Sequence, residues 1–292
     1  MTPEARERLQ ASLRQRLLNL AQAGEVDFQV VLSRFGRERF LYRLGKSNHQ
    51  QGFILKGAFL FYAWHKDTAR PTRDIDLLGY GTPDIPRLIE VISEIVRGEV
   101  EDDYLDFPTE VIRGQQIRET SLYDGIRLKL EARLGQTRIP LRIDIGFGDA
   151  AGSEAVILEY PTLLEHAPPR ILAYQPYLVV AEKLEAIVAL GMINTRLKDY
   201  YDIWWVNRTM DIPERKLVEA VRTTFTRRGT AIPSELPVGL SGEFTGDVQK
   251  LRLWEAFLTR SGLEFEGGSL KVIVEEICSF LWPIIVKAGT ES

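Results

Sequence analysis

Asp74 and Asp76, in the run R-P-T-R-D-I-D-L-L, are the residues whose type and spacing point most directly to chemistry. On a strand, residues two apart project from the same face, about 6–7 Å from each other. Two carboxylates aimed at one point repel unless something cationic sits between them. A hard divalent ion such as Mg²⁺ meets that need, because it takes oxygen ligands and suits phosphate substrates. Ile75 and Leu77 would then face the core. Asp144, inside L-R-I-D-I, alternates with Ile143 and Ile145 and points to the opposite side from them. If its strand lies beside the first, three carboxylates converge as the ligand set for two metals in phosphoryl or nucleotidyl transfer. Taken alone, D-x-D is a weak signal and in most proteins marks the solvated edge of an ordinary strand.

Three more groups bear on phosphate. Lys56-Gly57-Ala58 stands just before the apolar run 59–64. Small residues entering a helix let backbone N–H groups approach a phosphate, and a simple turn is the plainer alternative. Lys183 lies among Val179, Val180, Leu184 and Ile187. It either snorkels to water or meets a phosphate as a point charge. Asp199 is either a first-turn acid favoured by the helix dipole or a partner that holds the Lys183 ammonium.

The elements that must position these groups follow from periodicity. Residues 1–20 and 28–44 read as helices, the second carrying Arg34, Arg37, Arg39 and Arg43. Up to residue 50 there are nine basic and five acidic side chains, which gives either a solvated helix face or a wall that meets phosphates. A strand over 73–78 is followed by a helix over 85–96, started by Thr82-Pro83-Asp84. Strands follow at 109–117, 125–134 and 138–147, the last two joined by a turn at Gly135. Residues 99–106 form an acidic loop. Helices return at 178–190, 198–207, 215–225, 248–259 and 270–286, with a Gly- and Pro-rich linker over 231–246. Helices, then mixed strands and helices, then helices describe an α+β core between helical ends.

Composition narrows the function. The chain has 292 residues, 45% hydrophobic and 27% charged, which excludes a disordered or collagen-like protein. A net charge of −4 argues against a general nucleic-acid coat but leaves room for a local basic groove. Cys278 is the sole cysteine, and His49, His65 and His166 are scattered, so neither a disulfide framework nor a zinc site is expected. The N-terminus lacks a signal-peptide core and no apolar run is long enough to span a bilayer, so the cytoplasm is the expected compartment. Leu44-Gly45-Lys46-Ser47 ends like a P-loop, but the required earlier glycine is Phe40. Trp204, Trp205 and Trp254 could stack bases but sit at helical spacing and read as core; Arg222, Arg227 and Arg228 form a small cluster near Gly229, which the helix dipole alone accounts for and which is a second candidate for RNA-backbone contact.

The segments L-K-G-A, R-P-T-R-D-I-D-L-L, L-R-I-D-I, A-E-K-L-E-A-I and K-D-Y-Y-D-I-W, in this order over 52–206, together resemble the nucleotidyltransferase family of AbiEii/AbiGii abortive-infection toxins. The resemblance implies a DNA-polymerase-β-like nucleotidyltransferase core with a mixed sheet, N-terminal helices and a C-terminal helical domain. The divisions fall at 1–50, 51–175 and 176–292. It implies a toxin of a type IV-like toxin–antitoxin system, with NTP as substrate and two Mg²⁺ ions. It further implies an RNA acceptor such as a tRNA 3′ end, and an antitoxin encoded by an adjacent gene. Carried over to this chain, Asp74, Asp76 and Asp144 are the metal ligands; Asp76, Lys183 and Asp199 are catalytic, with Asp202 one turn after Asp199. Lys56, Gly57, Ala58 and Arg73 hold the nucleotide. Where the family often has two glycines followed by Ser or Thr, this chain has Gly57-Ala58-Phe59, without the hydroxyl. A metal-dependent phosphodiesterase or nuclease, and a catalytically dead scaffold that binds RNA or protein, are the competing readings.

Overall fold

The computed structural model describes residues 2–64, 72, 74–101, 103–120, 123–148, 154–263 and 269–290, with the backbone alone considered at 118–120 and 123–124. His65 and Arg73 lie outside the described residues. The chain divides into two units: Met1–Gly148 with Ala155–Ala173, and Asp149–Glu154 with Tyr174–Ser292.

The first unit is built on a seven-stranded mixed sheet, as the α+β expectation required. Its elements are α1 (Pro3–Ala23), α2 (Phe28–Lys46), β1 (Phe53–Lys56), α3 (Phe59–Trp64), β2 (Ile75–Gly79), α4 (Ile85–Arg97), β3 (Arg113–Thr120), β4 (Tyr123–Leu134), β5 (Thr137–Phe147), β6 (Val156–Glu159) and β7 (Arg170–Ala173). The sheet order is β3-β4-β5-β2-β1-β7-β6. β2 runs parallel to β5 and β1 parallel to β7, and the other neighbours are antiparallel. The helix starts follow local chemistry. Thr2, Asp27 and Asp84 accept from the N–H groups of Ala5, Gln29 and Arg87, each satisfying a donor the helix leaves open. α4 then lays Leu88, Val91, Ile92, Ile95 and Val96 into the core. The inward residues of β4 and β5, from Ile126 to Leu134 and from Ile139 to Ile145, are buried at alternate positions, while Lys129, Arg138 and Arg142 stay exposed.

The strands β1, β6 and β7 have no counterpart in the periodicity reading. Each is four residues long, and β1 is buried at every position, so it shows no alternation. The basic helix α2 also departs from expectation. Arg37, Arg39 and Arg43 are only 4%, 1% and 6% exposed, so they form neither a solvated face nor an open wall for phosphates. Asp103, from the acidic loop, takes Arg39 Nε at 3.0 Å and both terminal nitrogens of Arg43 at 2.5 and 2.9 Å. Burial opposes ionisation of Asp103, but these arginines outweigh it and leave its carboxyl below the usual range. Gly45, in the sequence that ends like a P-loop, packs inside α2, where a Cβ would come within 2.5 Å of the Arg170 carbonyl oxygen.

The second unit is helical: α5 (Pro176–Leu190), α6 (Leu197–Thr209), α7 (Glu214–Arg228), α8 (Gly242–Gly246), α9 (Val248–Ser261) and α10 (Leu270–Thr290). Trp205 and Trp254 are buried, and Trp204 Nε1 donates to Glu276 at 2.9 Å, so these indoles pack within the unit. The small arginine cluster is partly structural. Arg228 pairs with buried Glu185 at 2.8 Å, and Arg222 donates to the Lys287 and Ala288 carbonyls at the end of α10. Among the described residues no helix is long and apolar enough to cross a membrane.

Glu38 on α2 gives the first unit a pH dependence. It is fully buried, accepts from the Leu163 N–H at 2.8 Å and lies 3.8 Å from Arg39. Burial outweighs these partners and raises its pKa from 4.5 to about 7. The folded state therefore holds the proton more tightly than the unfolded chain. Its contribution to stability is fully present below about pH 4.5 and lost as pH rises through about 7. Glu38→Gln keeps the acceptor without the charge. It is expected to flatten stability between about pH 5 and 8 and to gain about 1–3 kcal/mol at the upper end, read by urea unfolding across that range.

Candidate active site

The strand pairing brings the sequence-predicted carboxylates to one level of the sheet. Asp76 on β2 is the register partner of Asp144 on parallel β5. On the other side Asp76 pairs with Lys56 on β1, and Asp144 pairs with Arg127 on β4. Register partners project from the same face, so Lys56, Asp76, Asp144 and Arg127 form one row across four strands. The two anions are adjacent and a cation flanks each end. Lys56 and Asp144 are buried, so these charges act at lower dielectric than they would in water.

Gly57, directly after β1, makes room for this row. Its φ is +73°, and a Cβ there would fall 2.0 Å from Asp76 Oδ2 and 2.7 Å from its Cγ. The residue is therefore more than a turn: it leaves the space in which the Asp76 carboxylate sits. Ala58 is buried at the entry to α3, which is only six residues long. That helix is anchored by Tyr160, which stacks on Phe59 at 4.8 Å and donates its hydroxyl to the Phe59 carbonyl at 3.2 Å.

Arginines surround the carboxylates. Arg127 grips Asp144 with two hydrogen bonds, Nε to Oδ1 at 2.7 Å and Nη2 to Oδ2 at 2.6 Å. Its pKa is raised first by that pairing and, more weakly, by the nearby charges of Asp74 and Asp76. Asp74 lies 3.3 Å from Arg142 Nη1, without hydrogen-bond alignment. Its buried Oδ1 has no hydrogen-bond donor among the described residues. Arg37 approaches from α2, donating to the Thr72 carbonyl and lying over the Phe59 ring at 4.8 Å. Burial lowers its pKa to about 10, against the opposing pull of Tyr160 and Asp74.

Lys183, Asp199 and Asp202 form a separate cluster in the helical unit. Lys183 Nζ, on α5, donates to Asp199 Oδ1 at 2.5 Å and lies 2.8 Å from Asp202 Oδ2, both on α6. Arg196 Nε adds a contact to Asp199 Oδ2 at 2.8 Å. Both carboxylates are fully buried. Burial alone would raise the pKa of Asp199, but Lys183 and Arg196 overcome it and hold the group at about 2. Both alternatives hold: Asp199 lies in the first turn of α6 and is a partner of the Lys183 ammonium.

Lys56, Gly57, Asp74, Asp76 and Asp144 are thus gathered in the sheet unit, and Lys183 with Asp199 in the helical unit. Arg73 falls outside the described residues. Among the described residues, no group of three or more His, Cys, Asp or Glu side chains is arranged to hold a metal. Periodicity missed Arg127 and Arg142 as site residues, and offered Arg37 only as part of a basic helix face. For Arg127 a signal existed: counting back along both strands from the turn at Gly135 puts it opposite Asp144.

A family model described as nucleotidyl transferase AbiEii toxin, type IV TA system, matches residues 39–266, more than half of the chain. No protein with a curated description matches. Among solved structures, JHP933 from Helicobacter pylori is 12% identical, with a TM-score of 0.47 over 86% of this chain and 89% of that one. A second H. pylori structure, described as a candidate nucleotidyltransferase, is also 12% identical, with a TM-score of 0.47 over 88% of this chain and 94% of that one.

Two substitutions test the electrostatics. Arg127→Gln leaves Asp144 facing Asp76 with one cation fewer and is expected to cost about 1–3 kcal/mol. Millimolar Mg²⁺ is expected to recover more stability in this variant than in the parent, measured by denaturant unfolding with and without the ion. Lys183→Met takes the shared ammonium from buried Asp199 and Asp202, leaving Asp199 with Arg196, and is expected to cost about 3–5 kcal/mol in the same assay. That loss shrinks as pH falls and the carboxyls protonate.

Proposed function

The chain belongs to the AbiEii nucleotidyl transferase toxin family, and on that premise we propose that it transfers NMP from an NTP to an RNA acceptor, such as a tRNA 3′ end, with Mg²⁺ as cofactor. The observation that carries this reading is the in-register row Lys56–Asp76–Asp144–Arg127, with Asp74 two residues before Asp76. The donor set fits a hard cation. Asp74 Oδ1 is buried and meets Arg142 Nη1 at 3.3 Å without a hydrogen bond, a contact that a cation could replace, and Asp76 occupies a cradle that a Cβ at residue 57 would fill.

Asp74 and Asp76 would hold the ion, which when bound neutralises charge on the triphosphate and makes an acceptor hydroxyl more acidic. A second ion would require Asp144 to release Arg127. In the transfer, the hydroxyl oxygen bonds to the α-phosphorus. The bond from that phosphorus to the oxygen it shares with the β-phosphate breaks, pyrophosphate leaves with the electron pair, and the hydroxyl proton passes to solvent. Lys56 and Arg127 supply fixed positive charge on the face where the phosphates lie, which costs no reorganisation during reaction. Arg73 and the backbone at Gly57-Ala58 are further nucleotide contacts in this reading. In the helical unit, Lys183 oriented by Asp199 is the cation assigned to phosphate charge. An RNA acceptor places the reaction in the cytoplasm. The type IV assignment implies an antitoxin partner, whose gene we place next to this one.

Asp76→Ala is expected to fold normally and to lose NMP transfer by roughly 10³-fold or more. The assay incubates each labelled NTP with total RNA and Mg²⁺ and sizes the labelled products. Transfer at the parental rate by the variant would overturn the assignment. Cleavage of RNA without NTP would support a phosphodiesterase instead.

A further inference from the structure

The sheet face that carries the catalytic row continues beyond it as an open, basic surface. One step along the strands, Arg113 on β3 is the register partner of Lys129 on β4, and Lys129 of Arg142 on β5. Arg142 in turn contacts Asp74 at 3.3 Å. Arg113, Lys129 and Arg142 are all exposed. Like charges directly opposite each other across a sheet destabilise it. Arg142 is offset by Asp74 and Arg113 Nη1 donates to the Glu110 and Ile112 carbonyls, so the repulsion falls mainly on Lys129 between them, in a chain whose net charge is −4. Glu131 does not relieve the row, because its carboxylate is engaged by Arg133 at 2.5 Å. A polyanion laid across the strands would relieve it. Arg37, Arg39 and Arg43 of α2, the other basic region of the sequence, are buried and cannot serve.

The row also has a direction. It crosses three strands, roughly 15 Å at ~4.8 Å per strand, and ends at Asp74. We propose that the open face of β3–β4–β5 is the landing surface for the polynucleotide acceptor. Its sugar–phosphate backbone crosses Arg113, Lys129 and Arg142, so that its terminal nucleotide reaches Asp74 and Asp76. The inference rests on the nucleotidyltransferase reading and adds the surface that receives the second substrate. Because the contacts are to phosphate, binding is independent of sequence and steeply dependent on salt.

The test is the double variant Arg113→Gln, Lys129→Gln in the full chain, neither residue belonging to the carboxylate site. The probe is a fluorescent single-stranded RNA of mixed sequence, read by anisotropy across a salt series. We expect affinity to fall about tenfold at low salt, and the salt slope to shrink by about 1.4 for two lost phosphate contacts. The thermal midpoint is expected to stay level or rise, since like-charge repulsion is removed. Mg²⁺–NTP binding, measured by calorimetry, is expected to be unchanged. Parental RNA affinity in the double variant would overturn the proposal. So would displacement of RNA by poly-glutamate at equal charge concentration, which would identify a surface for an acidic protein. A parent chain that binds Mg²⁺–NTP but no RNA also refutes the landing surface while leaving the nucleotide site standing. A parent that binds RNA but no Mg²⁺–NTP fails the nucleotide site instead.

Discussion

Two carboxylates at the same level on adjacent parallel strands cannot both stay charged in a partly buried site without compensation. Much of the sheet unit can be understood from that constraint. Asp76 and Asp144 are fixed at one level by the β2–β5 register, and Asp74 adds a third charge two residues away. Lys56 and Arg127 close the row on either side, Arg142 meets Asp74, and Arg37 reaches in from α2 to the Thr72 carbonyl. These cations differ in what they leave available. Arg127 saturates both oxygens of Asp144, whereas Asp74 keeps a buried oxygen without a hydrogen-bond donor among the described residues. The difference is one of degree: Asp144 is held by two hydrogen bonds, whereas Asp74 meets Arg142 in an ion pair without one.

The helical unit meets a similar constraint the opposite way round, with one lysine held by two buried acids. A buried ion pair of this kind is weak evidence for stability by itself, because desolvation consumes most of the Coulomb gain. Its value lies in fixing geometry: Lys183 cannot wander while Asp199 and Asp202 hold its ammonium.

The residues that carry the strongest local patterns were legible in the sequence. D-I-D and L-R-I-D-I announce strands with acids on one face, and their pairing follows once the strands are neighbours. Asp84 as a helix cap and the hairpin turn at Gly135 were equally clear. The short strands around them were not, because β1 is buried on both faces and its four residues carry no periodicity. The basic side of α2 misled for a different reason. Charge spacing on a helix suggests solvent, but it cannot reveal that Asp103, sixty residues away, is folded back to bury Arg39 and Arg43. Arg127 stood between these cases, available from the turn but only by counting the register of the whole hairpin.

Gly57 has a consequence that belongs to genetics. The space above its α-carbon is filled by the Asp76 carboxylate, and its backbone sits where only glycine is comfortable. The position is closed by shape, so conservative and drastic replacements press on the same carboxylate. On the proposed reading of the site, such a codon in a gene of a toxin family is a ready source of null alleles. A cell that loses its antitoxin gains from any missense change there, at little cost to the rest of the protein. Revertants would return by restoring glycine itself, with no second residue type able to stand in for it.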